Sequence, residues 1–371
     1  MKFVCLTSNL KKALSACDKI VSRNLSLPIL SNLLIKTSKD KLQIVSTDLE
    51  IGLNYYVLGE VKEEGSIVVP SKLFLGVINN LSDEKITLET KGDKLIIQNK
   101  EFNLNIQGFD SSEYPIIPSI ESEDFIEIDS NELLSSLNQV SKSANAGFNK
   151  PELNSVFLNF VNNEFYFVST DSFRLSERKI NNNFFKTNKK TEVKMIIPVK
   201  TILEVMLILQ NFDDVDQKTK IYFSNNQVFF DFGIANLISR LIEGEFPNYK
   251  NIIPKTYQTK IQINKNKFKE SIRLISNLSS QIKDLNIQVD SKNQEIILKG
   301  EDANKGDGLY KIKCMIDGYD SKICFNYSYI IDGLDGVDSE EVFFGINEDS
   351  PAIIKATNDD NFIYVLMPIR I

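Results

Sequence analysis

No histidine occurs anywhere in the 371 residues. That absence removes Ser-His-Asp and Cys-His nucleophilic machinery, the usual proton shuttle near neutral pH, and histidine as a metal ligand. Cysteine is almost as scarce. Cys5, Cys17, Cys314 and Cys324 form no C-x-x-C pair and fall in apolar helix or strand patterns. Buried, reduced thiols are expected, not disulfides or a zinc site. No run of 18 apolar residues is present, so no membrane-spanning helix is expected. The G-x-x-x-x-G-K-[ST] loop that cradles nucleotide phosphates is missing, as are helix-turn-helix and zinc-finger spacings. Met1 to Leu6 run straight into Thr7-Ser8-Asn9 without a secretory apolar core or cleavage site, which with the reduced thiols predicts a cytoplasmic protein. Asp213-Asp214-Val215-Asp216 lacks the glycine and terminal glutamate of a calcium loop and reads as a solvated loop. No catalytic residue, metal ligand or cofactor site is expected.

What the chain has is a threefold internal repeat. Each unit opens with an amphipathic helix, passes through an apolar strand to a turn, reaches a second short helix and closes in alternating strands. The turns are Ser46-Thr47-Asp48, Ser169-Thr170-Asp171 and, more weakly, Gly300-Glu301-Asp302. The strand-to-helix corners are Val68-Val69-Pro70-Ser71-Lys72, Ile196-Ile197-Pro198-Val199-Lys200 and Ile323-Cys324-Phe325-Asn326-Tyr327. Tyr114-Pro115-Ile116-Ile117-Pro118, Phe246-Pro247 running to Ile253-Pro254, and Val365-Leu366-Met367-Pro368 end the units. Repeats of this length are whole domains, each able to hold a core. The boundaries fall at 1–124, 125–253 and 254–371. Two helices and about eight strands per unit predict an α+β fold, with helices packed on one side of antiparallel sheets.

Net charge is −7, but net charge says nothing about where charges sit. In the first helix Leu10, Ala13, Leu14, Cys17, Ile20 and Val21 form one apolar stripe after Ser8 or Asn9 as N-cap, while Lys11, Lys12, Lys19 and Arg23 lie on the other face. The second unit turns Leu133, Leu134, Leu137, Val140 and Ala144 inward and Ser135, Ser136, Gln139, Lys142 and Ser143 outward. The third buries Phe268, Ile272 and Ile275 and shows Lys265, Lys267, Lys269 and Arg273. Lys72 and Lys200 stand on the short helices after the first two corners. One exposed lysine is a solubility device, whereas the same bias on equivalent helices suits a surface that touches phosphates without reading bases. No aromatic residues interleave with these lysines, which disfavours a single-strand stacking platform.

Five segments carry a resemblance over the whole chain: Leu27-Pro28-Ile29-Leu30-Ser31-Asn32-Leu33-Leu34, Thr47-Asp48-Leu49-Glu50, Ser169-Thr170-Asp171-Ser172-Phe173-Arg174-Leu175, Glu245-Phe246-Pro247-Asn248-Tyr249, and Met367-Pro368-Ile369-Arg370-Ile371. In this order and spacing the sequence resembles the bacterial DNA polymerase III beta subunit, the sliding-clamp family. The resemblance implies three tandem clamp domains and a head-to-tail homodimer closing into a six-domain ring with twelve helices around a hole. Twelve helices about 10 Å apart trace a diameter of about 38 Å through their axes. Removing one helix width of about 10 Å leaves room for duplex DNA and a water layer. The function implied is that of a processivity factor without catalytic activity. It would encircle double-stranded DNA without sequence specificity and dock the polymerase III alpha subunit, the clamp loader, and other polymerases and repair proteins.

By position against the family, the DNA-facing residues would be Arg23, Lys72, Lys150 and Lys200, then Lys12, Lys19, Lys142 and Lys283. The peptide-binding groove between domains 2 and 3 would be made by Leu153, Thr170, Ser172, Phe173, Arg174, Leu175, Pro247, Ile252, Met367, Pro368, Ile369 and Arg370. A Met-containing apolar pocket repacks easily around different partners. Some family members carry histidine at the place of Phe173 and arginine at that of Asn251, so partner preference is open. The dimer seam would join Phe102 and Leu104 to Leu274 and Ile275, covering an apolar edge strand. Two other readings compete: a scaffold that uses the groove without encircling DNA, and an enzyme with Asp48 or Asp171 as catalytic acid. The second is disfavoured, because side-chain-to-backbone hydrogen bonding explains the Thr-Asp turns.

Overall fold

The computed structural model describes residues 1–370 apart from 22–26, 39, 83, 119–121, 145–149, 212–216 and 349. The Asp213 to Asp216 run lies outside the described residues. Among those described, each repeat contributes two helices and nine strands, one strand more than the sequence pattern predicts. The helices are α1 (Thr7–Ile20), α2 (Ser71–Asn79), α3 (Ser130–Ser141), α4 (Val199–Gln210), α5 (Lys265–Ser276) and α6 (Tyr327–Gly336). The last strand residue before α2, α4 and α6 is Pro70, Pro198 and Asn326, so both steps are 128 residues. Asn326, not Phe325, is therefore the third corner position. Its carboxamide caps α6 by accepting from the Ser328 N–H at 3.0 Å. The expected third turn at Asp302 is instead the end of a hairpin, Glu295–Asp302 paired with Gly306–Lys313.

The chain forms two compact units, and the division runs through the middle repeat. One contains Met1–Leu134, Asn183–Lys190 and Lys200–Leu241; the other Ser135–Asn182, Thr191–Val199 and Ile242–Ile371. Each unit has one antiparallel nine-stranded sheet that continues from one repeat into the next. In the first, Ile51–Leu58 pairs with Ala235–Arg240 in the register Ile51↔Ser239 to Tyr55↔Ala235. In the second, Arg174–Asn181 pairs with Phe362–Leu366, from Arg174↔Leu366 to Arg178↔Phe362. The first unit also holds a five-stranded sheet ending at Asn103–Gln107, and the second a four-stranded sheet ending at Gly306–Lys313.

The helices bury the stripes their periodicity marks. Leu10, Ala13, Leu14, Cys17 and Ile20 of α1 and Phe268, Ile272 and Ile275 of α5 are all core. Cys5 and Cys17 are buried free thiols, and burial pushes both up to about 12. Helix α1 starts two or three residues earlier than the Ser8 or Asn9 cap predicts. The preceding residue, Leu6, is extended and caps nothing; the Thr7 N–H and hydroxyl are bound to the carbonyls of Glu84 (3.0 Å) and Ser82 (2.7 Å). Helix α3 departs from its predicted face. Ser136, Gln139 and Ser143, expected in solvent, are buried. Gln139 donates to the Gly336 carbonyl at 2.8 Å and to Asp338 at 3.1 Å, and Ser143 meets Ser176 at 2.6 Å. The Gln139 amide and the Ser143 hydroxyl thus find protein partners instead of water, which periodicity cannot distinguish.

Gly333 and Gly336 lie within α6, where glycine costs helix stability. Space explains them: a Cβ at Gly333 would lie 2.5 Å from the ring of Tyr364, and one at Gly336 2.4 Å from that of Phe362. Both rings are core. Gly333→Ala is expected to lower stability by about 1–3 kcal/mol despite its better helix propensity, measured as a fall in urea midpoint with unchanged slope. A stabilised variant would contradict the packing.

Candidate functional site

Two copies of one turn set the site's geometry. In the first, Asp48 Oδ1 accepts from the N–H groups of Glu50 and Ile51 at 3.0 and 2.7 Å, and the Thr47 hydroxyl donates to the Ile51 carbonyl at 2.8 Å. In the second, Asp171 Oδ1 accepts from Phe173 and Arg174, both at 3.0 Å, and Thr170 donates to the Arg174 carbonyl at 2.7 Å. Leu49 and Ser172 take the same left-handed conformation, φ 77° and 72°. One oxygen of each aspartate is thus engaged in backbone bonding, as the disfavouring of Asp48 and Asp171 as catalytic acids requires. The strand junction is copied too. The Arg240 N–H donates to the Glu50 carbonyl at 3.1 Å, and the Met367 N–H to the Phe173 carbonyl at 2.8 Å.

The second carboxylate oxygen separates the copies. Asp48 Oδ2 pairs with Lys200 of α4. Asp171 Oδ2 takes Arg174 Nε at 2.9 Å, while Arg174 Nη1 donates to Asp332 Oδ2 of α6 at 2.5 Å. The guanidinium lies 4.3 Å from the ring centre of Tyr329. Burial works to lower the Arg174 pKa, but Tyr364, Asp332 and Asp171 together hold it above the ordinary value. Beyond Asp332, Lys142 lies 3.8 Å from its Oδ1 and donates to Asp335 Oδ2 at 2.8 Å, and Lys269 takes the other oxygen of Asp335.

Thr170, Ser172, Phe173, Arg174, Leu175 and Met367 therefore share one corner. Phe173 is 53% exposed beside it. Leu175 is buried with Phe157, Val168, Ile196 and Val365, and the Phe246 ring stacks on Phe157 at 4.8 Å. Pro247 and Ile252 are exposed on the segment carrying Phe246 and Tyr249. Lys250, between them, is held by Glu177 at 2.6 Å and lies over the Tyr166 and Tyr249 rings. Leu153 is buried at the end of a short 3-10 turn, Pro151–Leu153. Pro368, Ile369 and Arg370 line a cavity of about 790 Å³ with Asn286, Lys299 and Cys324 of the four-stranded sheet, and the Ile369 N–H donates to the Cys324 carbonyl at 2.8 Å. Sequence reasoning missed Tyr329 and Asp332, although Asp332 follows Glu204 by the same 128 residues that separate the corners.

Of the basic residues expected to face DNA, Arg23 lies outside the described residues. Lys19, Lys72, Lys150 and Lys283 are exposed, and among the described residues they form no ion pair within 4 Å. Lys12 is half-buried. Lys200 and Lys142 are exposed but paired with aspartates, as given above. At the expected seam Leu104 and Leu274 are exposed and Phe102 is half-buried. Ile275 is a correction: it is 3% exposed and packed in its own core, because it continues the Phe268–Ile272 stripe.

Three family models match the chain in order: the DNA polymerase III beta subunit N-terminal domain over residues 1–118, its central domain over 127–248 and its C-terminal domain over 250–370. Curated relatives described as beta sliding clamps include those of Staphylococcus epidermidis, 28% identical over 365 residues, and Staphylococcus aureus, 29% over 374; each alignment covers 95% of this chain and 94% of the relative. The fold is shared with the Bacillus subtilis DNA polymerase sliding clamp (TM-score 0.92, 23% identity, 100% and 99% of the two chains covered). It is shared also with the Pseudomonas aeruginosa clamp bound to griselimycin (TM-score 0.93, 22% identity, both chains covered fully).

The Asp335 carboxyl gives the ion network a pH signature. Burial alone would raise its pKa, but hydrogen bonds from Lys142 and Lys269 hold it below 3.8. A depressed folded pKa contributes stability above the unfolded value, lost as pH falls through the folded one. The difference in urea midpoint between wild type and Asp335→Asn should be widest above the ordinary aspartate pKa of about 4 and narrow as pH falls from there through the depressed folded value. A gap that stays constant across that range would contradict the pairing.

Proposed function

The chain belongs to the DNA polymerase III beta-subunit family, and from that premise we propose that two copies join head to tail around duplex DNA and tether the replicative polymerase to it. The protein is a processivity subunit, not an enzyme. The proposed modules are 1–124, 125–253 and 254–371. The observation that carries the reading is the complete threefold pattern, two helices and nine strands in each repeat, matched in order by the three domains of one family.

Unpaired sheet edges support the second copy. Asn103–Gln107 ends a five-stranded sheet and Gly306–Lys313 a four-stranded one. Pairing these edges between copies would restore the nine strands of the other two sheets and cover Leu104, Leu274 and Leu309, all exposed. An apolar edge left open is an aggregation site. Phe102 borders the same seam.

Lys19, Lys72, Lys150 and Lys283, with Arg23 and Lys12, supply positive charge to duplex phosphates; Lys142 and Lys200 add to it from their ion pairs. Such contacts are salt-sensitive and carry no sequence information. A ring that holds DNA by topology gains from weak contacts, because tight ones would stall sliding. The corner of Thr170, Ser172, Phe173, Arg174, Leu175 and Met367, bordered by Leu153, Pro247 and Ile252, is the proposed docking groove for short apolar segments of the polymerase III alpha subunit, the clamp loader and repair proteins. Pro368, Ile369 and Arg370 extend it toward the four-stranded sheet. Among the described residues no helix is long and apolar enough to cross a membrane. Buried free thiols and the proposed work on DNA support a cytoplasmic protein.

Solution mass should equal two chains, and Leu104→Arg should reduce it to one while the far-UV circular dichroism of the folded chain is kept. Protein loaded on nicked circular DNA should stay bound until the circle is cut, then run off the ends. Retention on the linear product would replace the ring with a surface-binding scaffold.

A further inference from the structure

We infer that Asp332 is a positioning residue shared by the docking corner and the lysine-bearing helices, so that a duplex phosphate taken up by Lys142 strengthens the hold of Arg174 on a docked peptide. The inference rests on the groove reading given above. From the corner outward the side chains run Asp171, Arg174, Asp332, Lys142, Asp335, Lys269, acid and base in alternation. The two ends differ in solvation. Asp171 and Arg174 are 2% and 12% exposed, Lys142 44%. Charge interactions are therefore strong at the corner and screened at the lysine end, where a phosphate can compete.

Arg174 is fixed on three sides: Nε by Asp171, Nη1 by Asp332, and one face by Tyr329. A guanidinium has five N–H donors, so donors remain for a peptide carbonyl or carboxylate. Asp332 divides its charge between Arg174 at 2.5 Å and Lys142 at 3.8 Å. Drawing Lys142 to a phosphate removes the second claimant, while Lys269 still neutralises Asp335. Asp332 then acts on Arg174 alone. A better-fixed donor loses less freedom when a peptide binds. By linkage, the peptide strengthens phosphate binding by the same factor.

The other strand junction serves as an internal control. Lys142 follows Lys19 by the same 123 residues that separate Asp171 from Asp48, and Asp332 follows Glu204 by 128. Glu204 is raised by burial, a rise opposed by Lys200 and Lys19, so the acid–lysine grouping is present there as well. At the position of Arg174, however, stands Ile51. The first network ends at the Lys200–Asp48 pair on the helix side. Only the second reaches a side chain on the groove strand.

The test is fluorescence anisotropy of a labelled, uncharged peptide with a Leu-Leu-Phe core, bound to the full-length protein at low salt with and without a duplex of about 20 base pairs. The duplex should tighten peptide binding about fivefold. Lys142→Met should bind at the tightened affinity and no longer respond to the duplex. Asp332→Asn should bind more weakly than wild type in both conditions, again without response. An equal duplex effect in wild type and Lys142→Met would overturn the inference, as would an unchanged response in Asp332→Asn. Should Asp332→Asn melt early, Lys142→Met, altered at an exposed side chain, decides alone. A wild type that binds peptide but ignores the duplex sinks only the coupling. One that binds no peptide sinks the groove as well.

Discussion

Backbone hydrogen bonding between strands of different repeats is the constraint on which the architecture depends. A sheet edge exposes a row of unpaired donors and acceptors, and each repeat alone would carry several. Joining Ile51–Leu58 to Ala235–Arg240, and Arg174–Asn181 to Phe362–Leu366, removes four such edges. It also explains why the compact units divide the middle repeat: its two halves are bonded to different neighbours. The proposed docking corner follows from the same splice, since the Met367 N–H meets the Phe173 carbonyl where the joined strands end.

The two corners share one backbone geometry and differ in their side chains. Both keep the Thr-Asp turn, its left-handed residue and the crossing hydrogen bond. The first has Glu50 and Arg240 at its lip, 3.9 Å apart. The second has Phe173 and Met367 in the matching places and Arg174 beneath. An exposed ion pair in water contributes little and is well solvated, whereas an exposed phenylalanine leaves apolar surface for another molecule to cover. Identical backbones thus present different chemistry, which is why repeat symmetry alone does not place a binding site.

Sequence patterns gave the repeat, the helix stripes and the exposed lysines because each is a local signal. Pro70 and Pro198 mark their corners, and Leu10 to Ile20 alternate at helical spacing. What stayed hidden depends on distant partners. Gln139 and Ser143 look like part of a wet helix face, yet their partners are the Gly336 carbonyl and Asp338 for the first and Ser176 for the second. Leu274 and Ile275 are equally apolar and adjacent, and only packing shows which one is free. Arg174 and Asp332 stand 158 residues apart, so no local window links them. Asp302 misled because a Glu-Asp pair ending a hairpin resembles the Thr-Asp turn while lacking its threonine hydroxyl.

The two leftover sheet edges have a further consequence. Asn103–Gln107 and Gly306–Lys313 are unlike each other, so each contact between copies leaves one free edge of each kind until the last copy meets the first. In the proposed assembly such a subunit is in principle a monomer for a fibre, and the series terminates only where the rotation imposed by each head-to-tail contact closes. Substitutions at either edge that alter this rotation would therefore convert a discrete assembly into open-ended growth.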